Sequence, residues 1–591
     1  MNEQSTAIGT PPVDRVPVLI AGGGPVGLTL ALTLARHGVP AMLVERNPST
    51  TTHPKMDITN GRSMELYRQL GVADELRKVA VPEGNPFDVA WVTNLDGWEL
   101  ARFHYPSVAG RRETTRTNTD GTMTLEPPMR VSQAILEPAL KEILETRTNV
   151  DVRYGWALQS FRQDGDGVDA VIRCTATGET RTVRADYLAG CDGAGSVVRR
   201  ELGIALHDVD IRRLAARELG VRKVVSGTAR AYLEQHQTPM DGRVYMVHFT
   251  SSARDFLERF GTTWHTQSPA GWTLISQNDR DTWTLHTLIG MGVKTEAIDP
   301  KQFLFDRLGL EFDCDIVVAN EWRPRLSLAD SYGHGRVWLA GDSVHQVVPN
   351  GGYGMNTGVG DAVGLGWALS AIVNGWGEDR LLTAYGAERR AVGVRNRDAS
   401  ARHTLVRLAI QMANRASLSS QSWKGERDRA RLGREILDLG NLENEADGIE
   451  YGYRYDASPV ICTEPSHPRA DAMHRYVPGT APGARPPSVF LPDGRALFDL
   501  FGIGFTLLRF DDVDVTDLVS AAADRGVPLT VVDVRDPHTR KLYERDLVLI
   551  RPDNHVAWRG DSVPTDPMAV IDRVRGAVPT SVRSARKEFS R

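Results

Sequence analysis

Ten residues near the start of the chain, Val18-Leu19-Ile20-Ala21-Gly22-Gly23-Gly24-Pro25-Val26-Gly27, restrict the possible folds more than any others. Residues 16–21 are a continuous apolar run, as expected of a strand buried on both faces of a parallel sheet. Residues 27–37 carry Leu28, Leu30, Leu32 and Leu34 and stop at Gly38, so a helix is expected there. Residues 41–44 read as a second strand ending at Glu45 and Arg46. Gly22, Gly24 and Gly27 suit the three tasks of a dinucleotide turn: tight reversal, close approach of backbone to pyrophosphate, and packing of helix on strand. Pro25 and Val26 open the helix, whose N-terminus favours phosphate. Glu45 stands where a carboxylate can accept from ribose hydroxyls. Residues 16–35 are also twenty residues without a charge, long enough to cross a bilayer. Their Gly-Gly-Gly-Pro core breaks any single helix, so strand–turn–helix is the expected structure.

A second segment, Arg336 to His345 followed by Pro349 to Asn356, supplies a carboxylate, a glycine-rich turn and a helix start. Asp342 follows a short apolar strand and Gly341, and can accept from a sugar alcohol; capping of a helix is the alternative. The Gly351–Gly354 turn offers bare backbone N–H groups to a flat electron-accepting ring, and Pro349, Gly352, Gly354, Met355 and Asn356 are the expected cofactor contacts here. Two such sites in one chain point to a long cofactor held at both ends, FAD rather than NAD. A third segment, Gly190 to Ser196 with Asp192 and Gly193, would alone be only a turn.

The chain has 591 residues, net charge -5, 41% hydrophobic and 25% charged residues, so three to four ordinary globular domains are expected. Nothing in that charge calls for nucleic acid or an anionic membrane. The four cysteines form no CxxC, which argues against a disulfide framework or a metal site and for a reducing cytoplasm. The first fourteen residues do not read as a signal peptide. Further along, a helix is expected at 61–70, strands within 86–105, an exposed loop at 111–121 and a helix at 131–145 interrupted by Pro138. A meander follows at 151–190. Mostly β structure is expected from 205 to 325, with strands at 244–250, 272–276 and 283–289. A strand at 337–340, a helix at 358–374 and charged helices over 380–445 come next. A Pro/Gly-rich linker at 478–487 precedes a small α/β unit with strands at 505–510, 527–534, 547–550 and 555–558 and a helix at 515–525.

The three glycine and Asp-Gly segments, in this order, closely resemble those of the group A flavoprotein aromatic hydroxylases, which include p-hydroxybenzoate and phenol hydroxylases. The likeness covers nearly the whole chain. It implies an α/β fold in which a Rossmann-like FAD-binding domain (1–85, 125–204 and 326–400) is interleaved with a β-sheet substrate domain (86–124 and 205–325). A helical segment and linker (401–485) and a thioredoxin-like domain without CxxC (486–591) would follow, the latter for structure or dimerisation. It also implies FAD contacts at Arg62, Arg130 and Gln133, a ribityl contact at Asp342, and an Asp192-Gly193 motif tied to FAD and to NADPH or NADH. The expected molecule is a cytoplasmic homodimer or higher homo-oligomer acting on a small aromatic substrate and O2. The reaction implied is hydroxylation of a phenol or other electron-rich ring by a flavin C4a-hydroperoxide. An epoxidase or Baeyer–Villiger-type oxygenase of the same fold, or a flavin-binding protein without catalysis, is the alternative; a halogenase is disfavoured because no WxWxIP segment occurs.

Asp57 lies five residues before Arg62, the spacing at which phenol hydroxylase has its active-site aspartate; capping of the next helix is the plainer reading. A phenol has pKa ~10 and an aspartate ~3.9, so full proton transfer is uphill by roughly 8 kcal/mol. Asp57 therefore needs a strongly raised pKa or only accepts a hydrogen bond, and the second is favoured. Tyr245 and His248 are the other catalytic candidates. They are three apart on one expected strand and face opposite ways, so at most one should line the pocket. His345 reads equally as a base or as part of the flavin site's framework. Trp91, Trp98, Trp264, Trp272 and Trp283 suggest an aromatic-lined cavity, although core packing accounts for any one of them.

Overall fold

The computed structural model describes residues 14–209, 243–290, 292–464 and 472–577. The parts of the expected domains that fall at 1–13, 210–242, 291, 465–471 and 578–591 lie outside the described residues. The uncharged stretch at 16–35 splits into the strand Asp14–Ala21 and the helix Pro25–Arg36. Among the described residues no helix is long and apolar enough to cross a membrane.

The strand Asp14–Ala21 lies mid-sheet, between Thr180–Gly190 and Ala41–Glu45, all parallel. Val150–Tyr154 extends one side and Val337–Leu339 the other. Val18, Leu19 and Ile20 are completely buried, which explains why the strand reads as an unbroken apolar run. Its carboxyl end opens where neighbouring connections diverge, the usual position of a ligand in such sheets. The helix Tyr353–Val373 packs against the helix Pro25–Arg36. A Cβ on Gly358 would stand 2.5 Å from Val26 Cγ2, so the run of small residues is what lets the two helices meet.

A second, mostly antiparallel sheet of seven strands stands over that opening. Its order is Asp315–Trp322, Arg243–Thr250, Thr282–Ile289, Trp272–Ser276, His265–Ser268, Val89–Val92 and Glu99–Phe103. On Arg243–Thr250 the odd residues Tyr245, Val247 and Phe249 enter an apolar core shared with the helix Pro300–Leu308. The even residues Val244 and Met246 turn the other way, to the cavity.

The last layer is a four-stranded sheet in the order Leu529–Asp533, Phe505–Arg509, Leu547–Ile550 and Val556–Gly560, the first pair parallel and the others antiparallel. It packs on the main core: Phe505 meets Trp367 and Trp376 edge-on at ring-centroid distances of 6.4 and 6.1 Å. The helix Arg380–Met412, 33 residues and roughly 50 Å long, runs from this layer to the second sheet.

Three local expectations change. Residues 111–121 are mostly helix, not loop: Val108–Thr117 is capped by Ser107, whose side chain accepts from Gly110 N–H. The glycine helix begins at Tyr353, five residues before the expected 358. The helices that the sequence reading does not contain include Pro300–Leu308, Pro537–Tyr543 and Pro567–Val574, each with an Asp cap followed by Pro.

Candidate active site

One cavity of about 1210 Å³ runs from the glycine turn to the second sheet. Gly22, Gly24, Pro25 and Val26 line its first end. Gly22 has φ 112°, and a Cβ there would fall 2.3 Å from the Cys191 carbonyl oxygen, so only glycine lets these two strand ends meet. A Cβ on Gly24 would meet nothing nearer than 3.9 Å, leaving the backbone open to the cavity at the start of Pro25–Arg36. Gly27 sits behind, where a Cβ would lie 2.0 Å from the Gly22 carbonyl oxygen; its part is packing. Glu45 is pinned by Gly23 N–H and Asn47 N–H, both at 2.8 Å, with Arg46 and Gln133 beside it on the cavity wall.

Asp192 and Gly193 line the same end. Asp192 Oδ2 accepts from Val197 and Val198 N–H at 2.6 and 3.1 Å, whereas the buried Oδ1 has no partner among the described residues. Asp342 is exposed to the cavity, yet the protein around it desolvates its carboxyl and raises its pKa against the opposing charges of His345 and Lys55. Gly341 lies behind it, against Val26. Pro349, Gly352, Gly354 and Met355 complete this wall. Gly352, at φ 64°, is the N-cap of Tyr353–Val373, so two helix N-termini bound one cavity. These features fit a dinucleotide carrying a flat ring: bare backbone at both helix starts, and two carboxylates facing the cavity that can accept from sugar hydroxyls.

At the far end Asp57 Oδ2 accepts from Trp264 Nε1 at 2.6 Å and His265 Nε2 at 3.0 Å. Burial pushes this carboxyl up, but the bonds from His265 and Trp264 and the charges of His265 and Arg130 outweigh it and hold the pKa below the ordinary aspartate value. The pair was not legible beforehand, since neither residue has a local signal toward position 57. Trp264 precedes the strand His265–Ser268, so strict alternation does not separate the two side chains. His286 also lines the cavity; burial lowers it to about 4, so its ring is neutral near pH 7. Arg407 forks onto Glu443 at 2.7 and 2.8 Å and donates to Thr273.

Several expected site residues stand elsewhere. Arg62 points away from the cavity and donates to the Asp553 carbonyl at 2.8 Å. Arg130 forms a buried fork on Asp279 at 2.5 and 2.7 Å. Tyr245 packs edge-on against Phe303 on the sheet's other face. His248 Nδ1 is engaged by Trp283 O and Thr284 Oγ1, and the ring is not on the cavity wall. Asn356 braces the site from behind: Oδ1 accepts from Asn60 N–H at 2.9 Å and Nδ2 donates to Ile58 and Gly352 carbonyls. His345 is buried against Asp361 at 2.9 Å and is not on the cavity wall. None of the five tryptophans named above is on the cavity wall; Trp156 and Trp322 are.

The same segments match known proteins. A family model described as FAD binding domain covers residues 15–400, and one described as aromatic-ring hydroxylase, C-terminal, covers 479–577. The chain belongs to the FAD-dependent aromatic-ring hydroxylases. The hydroxylase is 34% identical to the FAD-dependent monooxygenase apdD of Emericella nidulans, over 97% of this chain and 91% of that protein. It is 30% identical to a 4-methyl-5-nitrocatechol 5-monooxygenase of Burkholderia sp, over 96% and 98%. Among solved structures it matches RebC with bound 7-carboxy-K252c, with TM-score 0.82 and 33% identity over 96% of this chain and 100% of that one. The hydroxylase is thus an FAD-dependent monooxygenase of mixed α/β fold.

Proposed function

We propose that this hydroxylase uses NADPH or NADH and O2 to hydroxylate a phenolic, electron-rich aromatic substrate whose own hydroxyl rests on Asp57. The observation that carries the reading is the Asp57 carboxylate, fixed by Trp264 and His265 in the cavity that also holds the two glycine turns. FAD, when bound, supplies the redox chemistry, taking electrons from the nicotinamide and activating O2. Gly22, Gly24, Pro25 and Val26 would hold its pyrophosphate and Glu45, Arg46 and Gln133 its adenosine side. Asp192, Gly193 and Asp342 would take sugar and ribityl hydroxyls, and Pro349, Gly352, Gly354 and Met355 the ring.

Asp57 acts by accepting. Its lowered pKa widens the gap to a phenol of pKa ~10, so it does not take the proton in a resting complex. A phenol O–H donating to a fixed anion becomes more electron-rich at the ring, which favours attack on an electrophilic oxygen. Val244, Met246 and Ile275 supply apolar wall that keeps water from the reacting atoms. The cavity exceeds the ~300–1,000 Å³ usual for one drug-sized ligand, which suits FAD together with a multi-ring substrate.

The domain division proposed is that implied by the resemblance, with a thioredoxin-like last unit: its strand order and helices suit that fold, and no cysteine follows Cys462. The four cysteines are free, as in a reducing cytoplasm. The test is single turnover with labelled O2. One labelled hydroxyl per NAD(P)H is expected, and Asp57→Asn should lose product while still binding FAD. Unlabelled product, or full activity in Asp57→Asn, would overturn the reading.

A further inference from the structure

The turn that carries Asp342 into the cavity is held from outside itself. Gly341 N–H donates to Asp361 Oδ2 at 3.1 Å, and the same carboxylate takes His345 at 2.9 Å and Arg389 Nε at 2.7 Å. Asp361 sits on Tyr353–Val373, the helix whose first turn also lines the cavity. Arg389 is fixed in turn by the Thr357 carbonyl at 3.0 Å and the Tyr455 hydroxyl at 3.2 Å.

The adjacent residue, Glu388, meets the C-terminal layer. Arg551 grips it with two bonds of 2.7 and 2.9 Å and grips Asp553 at 3.0 and 2.5 Å. The Asp553 carbonyl accepts from Arg62, on the helix Gly61–Gln69 that directly follows the Asp57–Asn60 segment. One short C-terminal loop therefore reaches both walls of the active-site cavity. Three carboxylates, Asp361, Glu388 and Asp553, face three arginines, Arg62, Arg389 and Arg551, and all six are buried. Burying six charges costs more than apolar packing of the same volume, while a forked ionic contact fixes one relative placement.

We infer that the C-terminal layer is a working part of the FAD site: Arg551, through Glu388, Arg389 and Asp361, positions the Gly341–Asp342 turn. These are positioning residues, and none of them lines the cavity. The network has two ends more than one side chain apart, so coupling between its ends separates a connected frame from several independent supports.

The experiment uses the full chain, stripped of FAD and titrated with FAD, for wild type, Arg551→Met, Asp361→Asn and the double variant. Arg509→Ala, a half-buried partner of Asp533 on the same layer, is the control. Circular dichroism of each apoprotein establishes that it is folded, and the visible dichroism of the bound flavin reports its setting. Arg551→Met is expected to weaken FAD binding by about tenfold and to alter the flavin's dichroism, with Arg509→Ala unchanged. The double variant is expected to be weaker than either single by far less than the product of the two effects. FAD binding in Arg551→Met within about twofold of wild type, or single effects that multiply to within about twofold, would overturn the inference. If Arg551→Met does not fold, Arg551→Lys, which keeps the charge and loses the fork, carries the same readings.

Discussion

Asp57 shows how far a single residue's chemistry is set by its neighbours. A carboxylate with two donors on one oxygen is poor at taking a proton and good at holding a substrate hydroxyl. In the proposed role the ionised form of Asp57 works, and its pKa is depressed, so activity dependent on it persists at neutral pH and falls only as pH drops through that low value. Trp264→Phe removes one donor and should raise the Asp57 pKa. The acid limb of kcat/KM then moves up by about one to two pH units, since a hydrogen bond to a charged group contributes ~1.5–3 kcal/mol. A pH–rate profile of the variant beside wild type checks this; coincident acid limbs would remove Trp264 from the account.

At the scale of elements, the two helices that bound the cavity depend on each other's surfaces. A Cβ at Gly358 would press on Val26 Cγ2 at 2.5 Å and approach Gly341 Cα at 3.3 Å, and both neighbours belong to cavity-bounding turns. Gly358→Val should therefore cost about 1–3 kcal/mol of stability and weaken FAD binding, read from urea midpoints and a flavin titration. A stable variant with unchanged FAD affinity would show that the helices have slack. The elements were largely readable because their signals are local: apolar runs, glycine stops and the spacing of Gly22, Gly24 and Gly27. The Thr-rich helix Val108–Thr117 was misread because composition was weighed above the Ser107 cap. The site was less readable. Arg62 and Arg130 look like ligands for a charged cofactor, yet distant carbonyl and carboxylate groups at 553 and 279 claim them. Trp264 and His265 reach Asp57 across more than two hundred residues. Short-range pattern carries no information about such pairings.

Over the whole molecule, the C-terminal layer is joined to the rest by buried charge as well as by apolar packing. Arg485 and Glu65 form a fully buried fork, with Arg485 between the rings of Tyr451, Tyr476 and Phe498. Arg485→Met leaves Glu65 without its main partner and should cost about 3–5 kcal/mol. Adding Glu65→Met should recover most of that loss in chemical denaturation, and failure to recover would mean that Arg485 acts by its shape. The long helix Arg380–Met412 carries the same frame from Glu388 to Arg407 on the cavity wall. The sheet order has a consequence for biosynthesis. Asp14–Ala21 pairs with Thr180–Gly190, which pairs with Val337–Leu339, and the loop at 551–555 closes last. The nucleotide cradle thus leaves the ribosome well before two strands of the sheet that completes it. At the usual elongation rate this strand waits about tens of seconds for its full set of neighbours. In that interval its bare apolar faces are what a chaperone would have to cover.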